Sequence, residues 1–278
     1  MSRAADLSAL RDRIRHLEQP ARHGVLPFGV AEIDRVLPGG GLALGAVHEI
    51  TGAGGDEEDG AAAAGFAAGI LARLGPKDGT GPVLWCLRRP DLYGPGLMAH
   101  GLDPARLVLV EARRDDAILW AVEEGLRSGL TPGLTPGLSA VVGEVGQLPM
   151  VAGRRLQLAA ERSGVTALLL RRWRNAAEAA AGRDQPSAAL TRWRVAVLPS
   201  IPSSLGAGKG WGPGIGRPCW RVALLRCRGG EPDAWDVEVA DATGHVSLSA
   251  ELADRPVTPT WVGADPLAPD SSKKRRAG

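Results

Sequence analysis

Apolar residues fall into short continuous runs separated by helically spaced stretches up to about residue 170, and into strict alternation beyond residue 190. Residues 46–52 read as a strand, followed by a glycine turn and an alanine-rich helix over 61–74. Further strand-length runs lie at 82–87, 107–110, 140–146 and 165–170, with helical spacing at 97–100, 117–127 and 151–162 between them. Strand and helix in alternation predict an α/β fold, a mostly parallel central sheet flanked by helices. The stretches 191–197, 219–225, 235–239 and 246–248 predict an antiparallel C-terminal extension on one edge.

Both ends read differently from this core. Over residues 4–19, Leu7, Leu10, Ile14 and Leu17 recur at three- and four-residue spacing among charged residues, one narrow apolar stripe on a helix that Pro20 ends. Such a stripe suits a partner-binding seam as well as a helix docked on its own core. Past residue 255 the chain is rich in proline, alanine and aspartate and finishes with Lys273, Lys274, Arg275 and Arg276, a disordered tail with a basic tip. The expected organisation is an N-terminal helix and connector (1–24), a core (25–255) and a tail (256–278). The twice-repeated Thr-Pro-Gly-Leu unit at 131–138 reads as an exposed insertion, and the glycine-rich 206–216 as a loop.

The chemistry centres on the turn after the first core strand. A strand, a glycine turn and a helix are the setting in which backbone amides cradle phosphates. The working form, GxxxxGK(S/T), adds a lysine for the outer phosphates and a hydroxyl for magnesium. Counted from Gly52, this chain places Glu57 at the second glycine, Glu58 at the lysine and Asp59 at the hydroxyl, with Asp56 beside them. Two like charges ~4 Å apart repel by roughly 4 kcal/mol at an effective dielectric of about 20. No lysine or arginine between Gly52 and Leu71 offsets these four carboxylates. Whether they repel phosphate or merely cap the following helix, ATP is not expected here.

After the strand at 82–87 comes Arg88-Arg89-Pro90-Asp91. Arginine cannot act as a general base at neutral pH, and Asp91 reads as a turn residue. Glu144 is the acidic residue of the strand at 140–146 and reads first as a structural residue at a strand end, with a vestigial metal-holding position as the alternative, since no lysine or hydroxyl completes such a site. Arg171, Arg172 and Arg174 surround Trp173, and Arg192 and Arg194 surround Trp193. Arginine meets phosphate and tryptophan stacks on bases, so both groups, with the basic tail, are candidate DNA contacts. Alternation along a strand gives the competing account for the second, tryptophan in the core and arginine in water.

Composition adds little that is positive. The 278 residues carry a net charge of +2, so any nucleic-acid surface requires clustering rather than overall charge. Three cysteines, Cys86, Cys219 and Cys227, fit no zinc or redox spacing and read as reduced core residues, so no metal is expected. The early residues hold no apolar stretch of signal or membrane-spanning length, and a cytoplasmic protein is expected.

The run GVAEIDRVLPGGGLALGAVHEITG, ending at Gly52, resembles the entry into RecA-like ATPase cores. Over residues 26–248 the chain is similar to the ImuA family, RecA-like accessory proteins of bacterial error-prone translesion synthesis. That resemblance implies a RecA-like core, a DNA-contacting segment over 171–189, and assembly with an ImuB-type inactive Y-family polymerase homologue and an error-prone replicative-type polymerase. RecA is a further candidate partner, and DNA is met directly or through the complex. The expected role is a non-catalytic, cofactor-free adaptor in damage-induced mutagenesis. The alternatives are a DNA-dependent ATPase of the recombinase kind, which lacks its lysine here, and a DNA-binding regulator of recombinase filaments.

Overall fold

The computed structural model describes residues 23–75, 81–128, 137–173, 175–183, 185–200 and 218–248. The N-terminal stripe, the repeated insertion up to residue 136, Arg174, the 206–216 loop and the basic tail lie outside them. A short ribbon, β1 (Val25–Leu26) antiparallel to β2 (Leu42–Ala43), frames the small helix α1 (Ala31–Asp34) and leads into β3 (Val47–Gly52). There follow α2 (Asp56–Ala72), β4 (Val83–Leu87), α3 (Gly94–Ala99), β5 (Leu107–Glu111), α4 (Asp115–Ser128), β6 (Ala140–Val145), α5 (Met150–Ser163), β7 (Thr166–Arg171) and α6 (Ala176–Arg183). The chain closes with β8 (Thr191–Leu198), β9 (Cys219–Cys227), β10 (Asp233–Glu238) and β11 (Ser247–Leu248).

Nine strands form one sheet in the order β11-β10-β9-β8-β3-β7-β6-β4-β5. From β5 to β8 neighbours are parallel, and from β8 to β11 antiparallel, the mixed α/β arrangement expected from the pattern and consistent with the RecA-like core that the resemblance implies. The switch falls within a single strand: β8 is parallel to β3 on one side and antiparallel to β9 on the other.

Alternation along the strands divides the core between two faces. On one, Ile50, Leu168, Trp193, Val222 and Val237 meet α2. That helix has no polar face beyond its first turn: Ala62, Ala63, Phe66, Ala67, Ile70 and Leu71 are all buried, as expected of a helix covered all round. Gly69 lets it approach the C-terminal strands, since a Cβ there would lie 2.7 Å from the Ala240 methyl. Trp193 sits fully buried against Phe28, Phe66 and Trp235. The alternation account therefore holds for this tryptophan, and it offers no ring to a base. On the other face, Val47, Val141, Val145 and Leu169 meet α4 and α5 through Ile118, Val122, Leu126 and Leu156.

One buried polar residue ties the ribbon to the sheet. Thr191 Oγ1 accepts from Trp193 Nε1 at 2.8 Å and lies 2.7 Å from His48 Nδ1, while His48 Nε2 lies 2.8 Å from the Ala43 carbonyl. The carbonyl only accepts, so Nε2 carries the proton and Nδ1 accepts from the threonine hydroxyl. Burial, opposed only by the bond to Ala43, lowers the His48 pKa from 6.5 to about 4. The unfolded chain thus takes up this proton first, and stability should fall as pH drops from 6.5 towards 4. Thermal melts across that window test this, and a His48→Gln variant should show a flatter acid limb.

Candidate functional site

The loop joining β3 to α2 emerges at the centre of the sheet, between the ends of β7 and β8. The helix begins five residues earlier than its alanine pattern suggests, so Asp56, Glu57, Glu58 and Asp59 form its first turn. Negative charge is favoured at a helix N-terminus, yet Asp56 and Asp59 do not serve as a solvated cap. Asp59 is 8% exposed and folds back on the loop, accepting from Gly54 N at 2.7 Å and from Val197 N of β8 at 2.9 Å. Gly52 permits this, because a Cβ there would lie 2.8 Å from the Asp59 Cβ.

Two further loop amides are committed. Ala53 N donates to Val195 O of β8 and Asp56 N to Trp173 O just past β7, both at 2.9 Å, while Asp59 N makes the helix's own first bond, to Gly55 O at 3.1 Å. A phosphate-binding loop points such groups at its anion; here the first two tie the loop to β8 and to the end of β7.

Asp56 is neutralised by residues remote in sequence. Arg89 Nη2 donates to its Oδ2 at 2.6 Å, and Arg172 Nε pairs with its Oδ1 at 2.6 Å, off the line of a hydrogen bond. Arg172 is the hub. Its Nη2 donates to Asp91 at 2.7 Å and its Nη1 pairs with Glu144 at 3.1 Å. Glu144, wholly buried, also accepts from Trp85 Nε1 at 3.0 Å and Arg88 N at 3.4 Å. Burial raises its pKa, with Arg172 acting in the opposite direction. Burial would lower the Arg172 pKa, but Glu144, Asp56 and Asp91 together outweigh it and raise it.

These positions test whether the residues fit a magnesium nucleotide. A metal would need Glu144 and a loop hydroxyl, and phosphates would need lysine and free amides. The guanidinium of Arg172 instead lies among Glu144, Asp91 and the loop acid Asp56, and the residues do not fit such a cofactor. The expectation of four carboxylates with no nearby positive charge is corrected: Arg89 and Arg172 supply it from the ends of β4 and β7. Glu57 is exposed.

The arginines singled out as DNA contacts are also placed differently. Arg172 is held as described, and Arg171 is 5% exposed, pairing with Glu49 at 3.4 Å and donating to Gly146 O at 2.9 Å. Arg192 joins the same Glu49 at 3.2 Å, and Ser187 Oγ donates to it. The Trp173 ring lies 5.4 Å from the Arg171 guanidinium carbon and beneath α6, where a Cβ on Gly182 would fall 2.5 Å from it. Arg171 and Trp173 are buried and the half-buried Arg172 is held by three carboxylates, so these groups meet partners within the chain. Cys86 and Cys219 are buried and Cys227 half-buried, all as free thiols. No metal-ligand cluster occurs among the described residues, and no helix among them is long and apolar enough to cross a membrane.

Fold and loop together define an α/β protein of RecA-like architecture in which ion pairs fill the turn between the first core strand and its helix. Within that class the chain belongs to the ImuA family. Protein ImuA of Caulobacter vibrioides, from strain NA1000 / CB15N and from strain ATCC 19089 / CIP 103742 / CB 15, is 40% identical over 246 residues. The alignment covers 86% of this chain and 94% of each relative. No protein-family model matches the chain.

Proposed function

We propose that this protein is a non-catalytic adaptor in damage-induced, error-prone translesion DNA synthesis. In this reading it joins an ImuB-type inactive Y-family polymerase homologue to an error-prone replicative-type polymerase. Family membership supports the setting. The observation that carries the non-catalytic half is Arg172, bound to Asp56, Asp91 and Glu144 where a metal and phosphates would have to lie. A fold retained without its cofactor chemistry still offers rigid surfaces, and the sequence adds the Leu7, Leu10, Ile14 and Leu17 stripe, whose spacing suits a partner helix.

One experiment with two arms tests this reading. Calorimetric titration with millimolar magnesium ATP should give no binding heat; micromolar affinity would overturn the non-catalytic half. A pull-down with the ImuB-type partner should succeed with the full chain and fail with Leu10→Asp/Ile14→Asp, since burying each apolar side chain contributes about 1.5–3 kcal/mol. Undiminished capture by the double variant would move the contact away from the stripe.

A further inference from the structure

Three large apolar side chains stand exposed on the outer surface of α4 and α5: Trp120 at 65%, Val151 at 70% and Leu158 at 53%. Exposed tryptophan is costly, and an apolar strip across two helices marks a surface that something covers. The two helices are fixed side by side by Glu123 of α4, which accepts from Arg155 of α5 and, at 2.6 Å, from Arg127. That pair sets their register. Trp120 lies about one turn before Glu123, Val151 about one turn before Arg155 and Leu158 nearly one turn after it, so the three stand at neighbouring levels along the outer surface of the two helices. Val151 and Leu158 stand on one face of α5, about 10 Å apart along its axis.

The chain enters the described core at the end of this strip. His23 Nε2 lies 2.8 Å from the Glu161 carbonyl, and its ring packs so close to Gly164 that a Cβ there would come within 2.9 Å. Glu161 is one turn beyond Leu158. The N-terminal residues therefore leave the core at the C-terminal end of α5, beside the apolar strip. Between Gln19, where the helical pattern ends, and His23 the chain can span at most about 14 Å, which keeps Leu17 near Leu158. From Leu17 back to Leu7 is about 15 Å of helix, enough to cover the strip from Leu158 to Val151 and Trp120.

We infer that residues 1–22 dock on the α4–α5 surface of their own chain, laying Leu7, Leu10, Ile14 and Leu17 against Trp120, Val151 and Leu158. The short tether favours this over a second copy, because it holds the segment at an effective concentration of roughly millimolar or above. Taken with the adaptor reading, on which only this consequence rests, the contact is regulatory: a partner must displace the segment from α4 and α5 to reach its stripe.

Cysteine pairs in the full chain, on a Cys227→Ser background, test the docking without any partner present. Leu17→Cys/Leu158→Cys and Leu10→Cys/Val151→Cys should each close an intramolecular disulfide under mild oxidation, seen as a faster monomer on non-reducing gels and mapped by mass spectrometry. Leu17→Cys/Val197→Cys, aimed at the end of β8, should remain reduced. Reduced samples must melt at the parent temperature, so that a closed bond reports the native surface. Links between chains would assign the strip to a second copy and overturn the proposal, as would failure of both pairs to close. If both links close but the reduced protein still fails in the pull-down, that failure counts against the adaptor reading alone.

Discussion

Replacing Arg172 by alanine will destabilise the protein by roughly 3–5 kcal/mol at neutral pH, the cost of removing one partner from a buried ion-pair cluster. Asp56 keeps Arg89, but Glu144 is left in the interior with only the Trp85 and Arg88 N–H groups. The loss should depend on pH in a defined sense. Burial already raises the Glu144 pKa and Arg172 is what opposes it, so the variant's carboxyl will hold its proton to still higher pH. Between the ordinary carboxylate value and the raised one, the folded state binds more protons than the unfolded, and stability falls as pH rises. The deficit relative to the parent should therefore narrow as pH is lowered from 8 to 5. Thermal melts across that range decide this; a variant as stable as the parent at pH 8 would mean that the cluster is incidental.

Asp59→Ala should cost about 2–4 kcal/mol, because it strands the Gly54 and Val197 amides, each a part-buried donor with no replacement acceptor. Asp59→Asn, which keeps one carbonyl oxygen, should lose about half as much. Denaturant unfolding measures both, and an unchanged midpoint for the alanine variant would show that the loop is held by its other bonds alone. The same bonds bear on any attempt to rebuild a phosphate loop. Charge alone suggests that Glu57→Gly/Glu58→Lys/Asp59→Thr relieves repulsion, but the change also cuts the loop from β8, and the triple variant should unfold more easily while still failing to bind ATP.

Local pattern made much of the fold legible. The apolar runs located β3, β4, β6 and β7, and the period-2 stretches located β8 to β10, because side-chain alternation is a property of the strand itself. The start of α2 was not legible: acids read as turn residues until Arg89 and Arg172 are placed beside them, and those arginines lie far along the chain. The same distance concealed the role of Glu144, whose position was recognisable but whose guanidinium partner was not. Arg171, Arg172 and Trp173 carry the composition of a nucleic-acid contact, and only Gly182 folding α6 over the indole, with Glu49 beneath, shows them to be interior. Nor does alternation reveal direction, so the parallel side of β8 emerged only from its pairing with β3.

That placement of β3 also fixes when the site comes into being as the chain is made. Asp59 meets its β8 partner across 138 residues, and Glu49 meets Arg171 across 122. Contacts so distant form late, after the entropy of closing long loops has been met, and they slow folding. On the ribosome the acidic turn is synthesised before Arg89 and well before Arg172, the two arginines that neutralise it. Until β7 and β8 have emerged, the nascent chain carries the centre of its sheet as an unpaired strand edge followed by a run of uncompensated carboxylates. Those charges then keep the edge soluble and disfavour its pairing with another chain, so the residues that close the finished site also guard the unfinished one.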